Sequence, residues 1–384
     1  MPISRRLEPF GVTIFSEITD LAVAHDAINL GQGFPSWDGP DFIKEAAVAS
    51  MQGGHDQYPP SPGIAPLRSA IANRYGPALG RDLDPDSEIT VTGGCTEAIT
   101  AAILGLVDAR DEVVLIEPYY DSYPVALSLV DAVPRYVTLR PPDFRLDPAE
   151  LAAAFSDRTK AILVNTPHNP TGRVFDASEL QAIADLCTTH DVIAISDEVY
   201  EDMTYDKPHL PLATIPGMAE RTVTMYSLGK TYSLTGWKVG WAIAPEALTL
   251  GVRAAHQFLT FTTPTPVQHG AAAALGAPAE FYEELRRSYR SRRDLLVAGL
   301  SAVGLEPYTP EGTYFVLANH SMFGFADDRA FCRHLIEHAG VAAIPPSAFY
   351  HEPGEAAELV RFAFCKDEAT IEAAVERMSA LSMA

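Results

Sequence analysis

Between about residues 88 and 245, short runs of β-branched residues alternate with longer stretches of helical periodicity. This alternation limits the possible folds more than any other feature of the chain. EITVT precedes EAITAAILGLV, EVVLIEP precedes YPVALSLV, KAILVN precedes ASELQAIADLCTTH, and VIAIS and TVTMYS follow. Strands bounded by turn residues and separated by helices indicate an α/β fold with a mostly parallel sheet. Asp176 and Glu179 stand in capping-box spacing at the start of the helix predicted over 177–190. A parallel sheet of this kind takes its ligands outside the carboxyl ends of its strands, so those ends are where chemistry is sought.

The C-terminal part changes character. FYEELRRSYRSRRDLLVAGLSAVG reads as a long amphipathic helix, GTYFVLAN, VAAIPPS and LVRFAFCK as strands, and about 327–339 and 367–381 as helices. The expected organisation is an N-terminal arm and part of a small domain over 1–28, a large domain over 29–283, and a smaller α/β domain over 284–384. A chain of 384 residues is long enough for two such cores.

Composition excludes several classes. A net charge of -22 gives no basic footprint for phosphate backbones, so no nucleic-acid partner is expected. The four cysteines, Cys95, Cys187, Cys332 and Cys365, have neither disulfide-framework nor zinc-site spacing, and a reducing cytoplasmic location is the reading. MPISRRLEPF lacks the apolar run of a signal peptide, and no stretch of about 18 apolar residues is present to span a membrane.

Several strand ends carry polar residues that a core would reject. VIAIS runs into Asp197 and then Tyr200; KAILVN runs into TPHNPTG with Asn169; TVTMY runs into Ser227 and Lys230. EITVT runs into Gly93 and Gly94 at a helix start, where free N–H groups can hold an anion. VVLIE runs into Pro118, Tyr119 and Tyr120. Singly, each is ordinary turn, cap or surface chemistry. Together they supply an anion cradle, an aromatic plate, an amide, a carboxylate and a lysine. That set matches pyridoxal 5′-phosphate, whose aldehyde needs a lysine, whose pyridine nitrogen needs a carboxylate, and whose ring needs an aromatic neighbour. Lys238, one of only six lysines in the chain, is the second cation for the phosphate dianion.

On INLGQGFPSWDGPDFIKEAA, QYPPSPGIAPLRSAIA, EPYYDSY, NTPHNPTGRVF, SDEVYEDMTYD, SLGKTYSLTGWKVGW and LVRFAFCKDE, the chain resembles the fold-type I, class I/II pyridoxal-phosphate aminotransferases almost end to end. Within them it is most similar to the kynurenine/glutamine/methionine branch, with the actinobacterial N-succinyldiaminopimelate aminotransferases beside it. The resemblance implies that Lys230 bonds the cofactor, Asp197 partners the pyridine nitrogen, and Asn169 and Tyr200 face the 3′ oxygen. Tyr120 then stacks on the ring, and Gly94, Cys95, Thr96, Ser227 and Lys238 surround the phosphate. Arg361 grips the substrate α-carboxylate beside Gly33, and Tyr58 reaches across a homodimer interface. Phe15, Tyr123 and Phe261 fall near the side-chain pocket and favour aromatic, sulfur-containing, glutamine or kynurenine-like amino acids, paired with a 2-oxo acid.

Cys95 stands where an alanine is usual, and Phe15 and FTTPTP also depart from the commonest pattern. Three rival readings use the same resemblance: β-elimination from cysteine S-conjugates, transamination of N-succinyldiaminopimelate, and a regulatory ligand sensor. The last needs an N-terminal DNA-binding domain, and the family motifs begin by residue 28, so an enzyme is expected.

Overall fold

The β-branched runs form strands because each of their faces has a hydrophobic layer to bury against. In the computed structural model, which describes residues 3–381, the run Glu112–Glu117 is buried at every position. Burial on both sides is what a central strand of a parallel sheet requires. Seven strands make this sheet: β2 (Ile89–Thr92), β3 (Glu112–Glu117), β4 (Val133–Thr138), β5 (Thr159–Asn165), β6 (Ile193–Asp197), β7 (Thr222–Ser227) and β8 (Gly240–Ile243), in the order β2-β8-β7-β6-β5-β3-β4. β4, β3, β5, β6 and β7 run parallel to their neighbours. β8 is antiparallel to both β7 and β2. The α/β class expected from the alternation is therefore the observed one.

The predicted helix at 177–190 spans Ala177–His190, and both capping-box bonds are made: Asp176 accepts from the Glu179 backbone and Glu179 reaches back to the Asp176 N–H. On the other face, the helices Cys95–Leu106 and Glu246–Leu259 pack against each other and against the sheet.

Beyond the long helix Ala279–Ala302, β9 (Glu306–Tyr308), β10 (Phe315–Asn319) and β12 (Leu359–Ala363) form an antiparallel sheet in the order β12-β10-β9. The strand expected over VAAIPPS shrinks to the pair Val341–Ala342, β11, which lies parallel to β1 (Ile28–Asn29). Past it, Ile344 still makes a bridge to Arg361, and beyond that Pro345 and Pro346 have no N–H to continue a ladder. The helix expected over 327–339 is α-helical only from Asp328 to His334 and widens into a π turn over Leu335–Ala339, ended by Gly340 in the left-handed region. Among the described residues no helix is long and apolar enough to cross a membrane.

Candidate active site

The carboxyl ends of β2, β3, β5, β6 and β7 open on one cleft with about 260 Å³ of interior volume. Gly94, Cys95, Thr96, Tyr120, Tyr123, Asn169, Asp197, Tyr200, Ser227, Lys230 and Lys238 line it from the large sheet. Phe15, Gly33 and Arg361 line it from the N-terminal segment and β12.

The end nearest β2 is shaped for an anion. Gly94 caps the helix Cys95–Leu106 with φ 83°, a left-handed value that glycine adopts without strain, and no side chain occupies the first-turn N–H groups. These donors and the helix dipole point at whatever lies above Gly94. Lys238 lies there: its Nζ is 3.3 Å from where a Cβ on Gly94 would stand. Ser227 caps the short helix Leu228–Thr231, its oxygen accepting from the Gly229 N–H, which leaves its hydroxyl proton to donate. Packing from behind holds the cradle close: a Cβ on Gly240 of β8 would sit 2.6 Å from the Gly94 carbonyl carbon and 2.7 Å from the Cys95 nitrogen. Below it, Glu97 takes hydrogen bonds from the Gly93 N–H, from Thr260 and from His256.

Asp197 ends β6 at the cleft floor. Its Oδ2 accepts from the Tyr123 hydroxyl at 2.7 Å, and its Oδ1 accepts from the Val199 N–H at 3.3 Å. Burial pushes the Asp197 carboxyl above its usual range, against the pull of the Tyr123 hydrogen bond and the Lys230 charge. An acid in that position is returned to the anion by a cationic partner such as a protonated pyridine nitrogen. Asn165, at the end of β5, ties two of these residues together: its Nδ2 donates to the Asp197 carbonyl at 2.8 Å and its Oδ1 accepts from the Asn169 N–H at 2.7 Å.

Lys230 stands between cradle and carboxylate. Burial lowers its pKa, with Asp197 partly offsetting the effect. Its Nζ donates to the Tyr314 hydroxyl at 3.3 Å. Arg361 closes the far side, only 1% exposed. Its Nη2 donates to the Gly31 carbonyl at 2.9 Å and its Nη1 to Asn169 Oδ1 at 3.3 Å, while the guanidinium lies 4.2 Å over the Phe315 ring. Burial brings its pKa down to about 10, so it stays charged at neutral pH. Its Nε, buried, has no hydrogen-bond partner among the described residues.

These donors fit pyridoxal 5′-phosphate: an uncapped helix start with two adjacent polar side chains for the phosphate, a buried acid for the ring nitrogen, and a buried lysine of lowered pKa within the same cleft. A guanidinium with uncommitted N–H groups suits a carboxylate.

The structure places three of the aromatic candidates as follows. Tyr123, expected in the side-chain pocket, lines the cleft from its floor, where its hydroxyl is committed to Asp197. Phe261 does not line the cleft of its own chain: the backbone turns at positive φ after the helix Glu246–Leu259 and carries the ring outward, 43% exposed. Tyr58, expected to reach across a dimer interface, is 85% exposed outside the cleft of its own chain and meets Phe261 edge-on at 5.6 Å. Reasoning from sequence also passed over Gln32, Phe34, Asn165, Val199, Thr235 and Phe315, which line the cleft, and Tyr314, which touches Lys230. The asparagine that ends KAILVN was the available signal for Asn165.

The mostly parallel sheet, the site at its carboxyl edge and the second, smaller sheet define a fold-type I pyridoxal-phosphate transferase. The sequence model described as aminotransferase class I and II matches residues 25–378, and the chain belongs to that family. It is 46% identical to a probable N-succinyldiaminopimelate aminotransferase from Mycobacterium tuberculosis, over 98% of each chain. It is 42% identical to a methionine aminotransferase from Escherichia coli, over 98% of this chain and 97% of that one. The solved N-succinyldiaminopimelate aminotransferase from Mycobacterium tuberculosis superposes with a TM-score of 0.96 over 99% of this chain and 100% of that chain. The protein is a pyridoxal-phosphate-dependent aminotransferase, moving an amino group between an amino acid and a 2-oxo acid.

Proposed function

We propose that the amino donors are L-amino acids with large, uncharged side chains, aromatic or sulfur-containing ones foremost. One observation carries this. The cleft lining holds three cations, Lys230, Lys238 and Arg361. Covalent attachment, phosphate binding and α-carboxylate binding use all three. Phe15, Phe34, Ile99 and Phe315 supply the apolar remainder. A second reading, N-succinyldiaminopimelate, is favoured by the 46% identity to the mycobacterial enzyme. Its distal carboxylates would have no cation among the described lining residues of this chain. A panel of amino donors against several 2-oxo acids separates the two. Higher kcat/KM for methionine and phenylalanine than for N-succinyldiaminopimelate supports the first reading, and the reverse order overturns it.

In this reading, pyridoxal phosphate, when bound, supplies the carbon that takes the amino group and a ring that delocalises the electron pair left at Cα. With the cofactor bound, Asp197 would keep a proton on the ring nitrogen, Asn169 and Tyr200 would hold the 3′ oxygen, Tyr120 would pack on the ring, and Gly94, Cys95, Thr96, Ser227 and Lys238 would hold the phosphate. Arg361, with Gly33 beside it, orients the substrate carboxylate. Lys230, as a free neutral amine, would take the proton from Cα, a task for which burial has already lowered its pKa.

The enzyme is further read as a cytoplasmic homodimer with a large domain over 29–283 and a small one over 284–384. Tyr58, Phe258 and Phe261, all exposed, support a partner surface beside the cleft. Sedimentation at assay concentration tests this, and a fully active monomer would refute it.

A further inference from the structure

Five consecutive backbone carbonyls, from Leu30 to Phe34, each accept a hydrogen bond from β12, from the residues just after it, or from Tyr314, the residue just before β10. Leu30 accepts from the Ala363 N–H at 2.6 Å and Gly31 from Arg361 Nη2 at 2.9 Å. Gln32 accepts from the Cys365 thiol at 3.8 Å, Gly33 from the Tyr314 hydroxyl at 2.7 Å and Phe34 from Lys366 Nζ at 2.8 Å. This strap carries Gln32, Gly33 and Phe34 into the cleft wall. Only one of its five donors also touches Lys230, and that donor is Tyr314.

The direction of these bonds matters. A phenol has one proton to give and two lone pairs to accept with. The Gly33 carbonyl can only accept, so it takes the Tyr314 proton. Tyr314 can then meet the Lys230 amine only as an acceptor. A neutral amine that donates one N–H to Tyr314 keeps its lone pair, the pair that must receive the α-proton. A free phenol proton would instead cap that lone pair and blunt the base. Burial keeps the Tyr314 phenol well above its ordinary range, so the proton stays in place at working pH. Gly33 permits the contact: a Cβ there would stand 2.9 Å from Tyr314 Cε2 and 2.6 Å from Phe315 Cζ.

We propose that Tyr314 is a positioning residue for the proton-transfer step, anchoring the free amine of Lys230 with its lone pair exposed while the Gly33 carbonyl holds the only phenol proton. The proposal rests on Lys230 being the base, and the test separates the two. Tyr314→Phe removes one oxygen and keeps the ring that packs at 4.8 Å against Phe315 and 6.1 Å against Tyr289. Single-turnover rates are measured with α-protiated and α-deuterated amino acid, alongside cofactor affinity. Cα–H cleavage should slow by about tenfold or more, as expected when a reacting group loses its alignment. The primary isotope effect should rise, with cofactor Kd within about twofold of wild type. An unchanged rate and isotope effect overturns the proposal, as does a rate loss matched by lost cofactor affinity, which makes Tyr314 scaffold only. Lys366→Met loosens the same strap without touching Lys230. It should speed amide hydrogen exchange over 30–36 and leave the isotope effect at the wild-type value; a raised isotope effect would assign the positioning to the strap and overturn the role of Tyr314. In Lys230→Ala, persistent α-proton exchange would refute Lys230 as the base whatever Tyr314→Phe does.

Discussion

Replacing Arg361 by lysine keeps a positive charge and removes a planar fork. The guanidinium has five N–H donors, two of them committed to Gly31 and Asn169. The remaining donors can meet a carboxylate in two parallel bonds. An ammonium at the end of a flexible stem makes one such bond and lets the carboxylate rotate. The loss is about one charge-assisted hydrogen bond, roughly 1.5–3 kcal/mol. The Gly31 and Asn169 anchors and the stacking on Phe315 go with it. We therefore expect kcat/KM to fall about a hundredfold, some 2.7 kcal/mol. The assay compares several good amino acid donors with the matching amines that lack a carboxylate. Every amino acid should lose activity by a similar factor, and the amines, poor substrates already, should hardly change. A loss confined to one donor class would make Arg361 a side-chain selector and refute the carboxylate assignment.

Three further outcomes follow from the geometry. Asp197→Asn should retain cofactor yet leave less than about a tenth of the wild-type rate, because the amide cannot hold the ring nitrogen's proton against the ring; a larger residual rate, a barrier change under roughly 1.4 kcal/mol, contradicts the role. Gly240→Ala should push the Gly94–Cys95 backbone off its position and weaken cofactor affinity at least tenfold in equilibrium titration, whereas wild-type affinity would show that the cradle tolerates the shift. Burial pulls His256 down, but its hydrogen bond to the Glu97 carboxylate and the Glu97 charge outweigh this, and the net shift is upward. Its other nitrogen faces the Ser61 carbonyl at 2.9 Å, so both nitrogens donate in the imidazolium. The pair's stabilisation is then complete below the unfolded value near 6.5 and is lost as pH rises through the folded one. Thermal melts of wild type and His256→Gln should differ most near pH 6 and converge at higher pH; a gap that widens with pH reverses the sign.

Much of the fold was legible because burial on both faces of a parallel sheet writes itself as uninterrupted apolar runs, as in Val113–Ile116 and Ala161–Val164. β4 was not, since Pro134 and Arg135 interrupt its pattern at the sheet edge, where they are tolerated. β8, only four residues long and opening on Gly240, gives almost no periodic signal. At the site, residue types at strand ends indicated the chemistry. Which side of a wall a residue occupies was a different matter. Tyr123 and Asp197 are 74 positions apart and Tyr314 and Gly33 are 281, and only the packed chain brings them within hydrogen-bond distance. Phe261 illustrates the same point from outside the cleft, because its placement depends on a turn at positive φ that no local motif announces.

Covalent attachment at Lys230 is tested most directly by reducing the cofactor-loaded enzyme with borohydride and mapping its peptides by mass. The predicted result is a single pyridoxyl group on the peptide containing Lys230, with Lys238 unmodified. A pyridoxyl group on Lys238, Lys366 or any other lysine would contradict the assignment and move the reacting centre away from the end of β7.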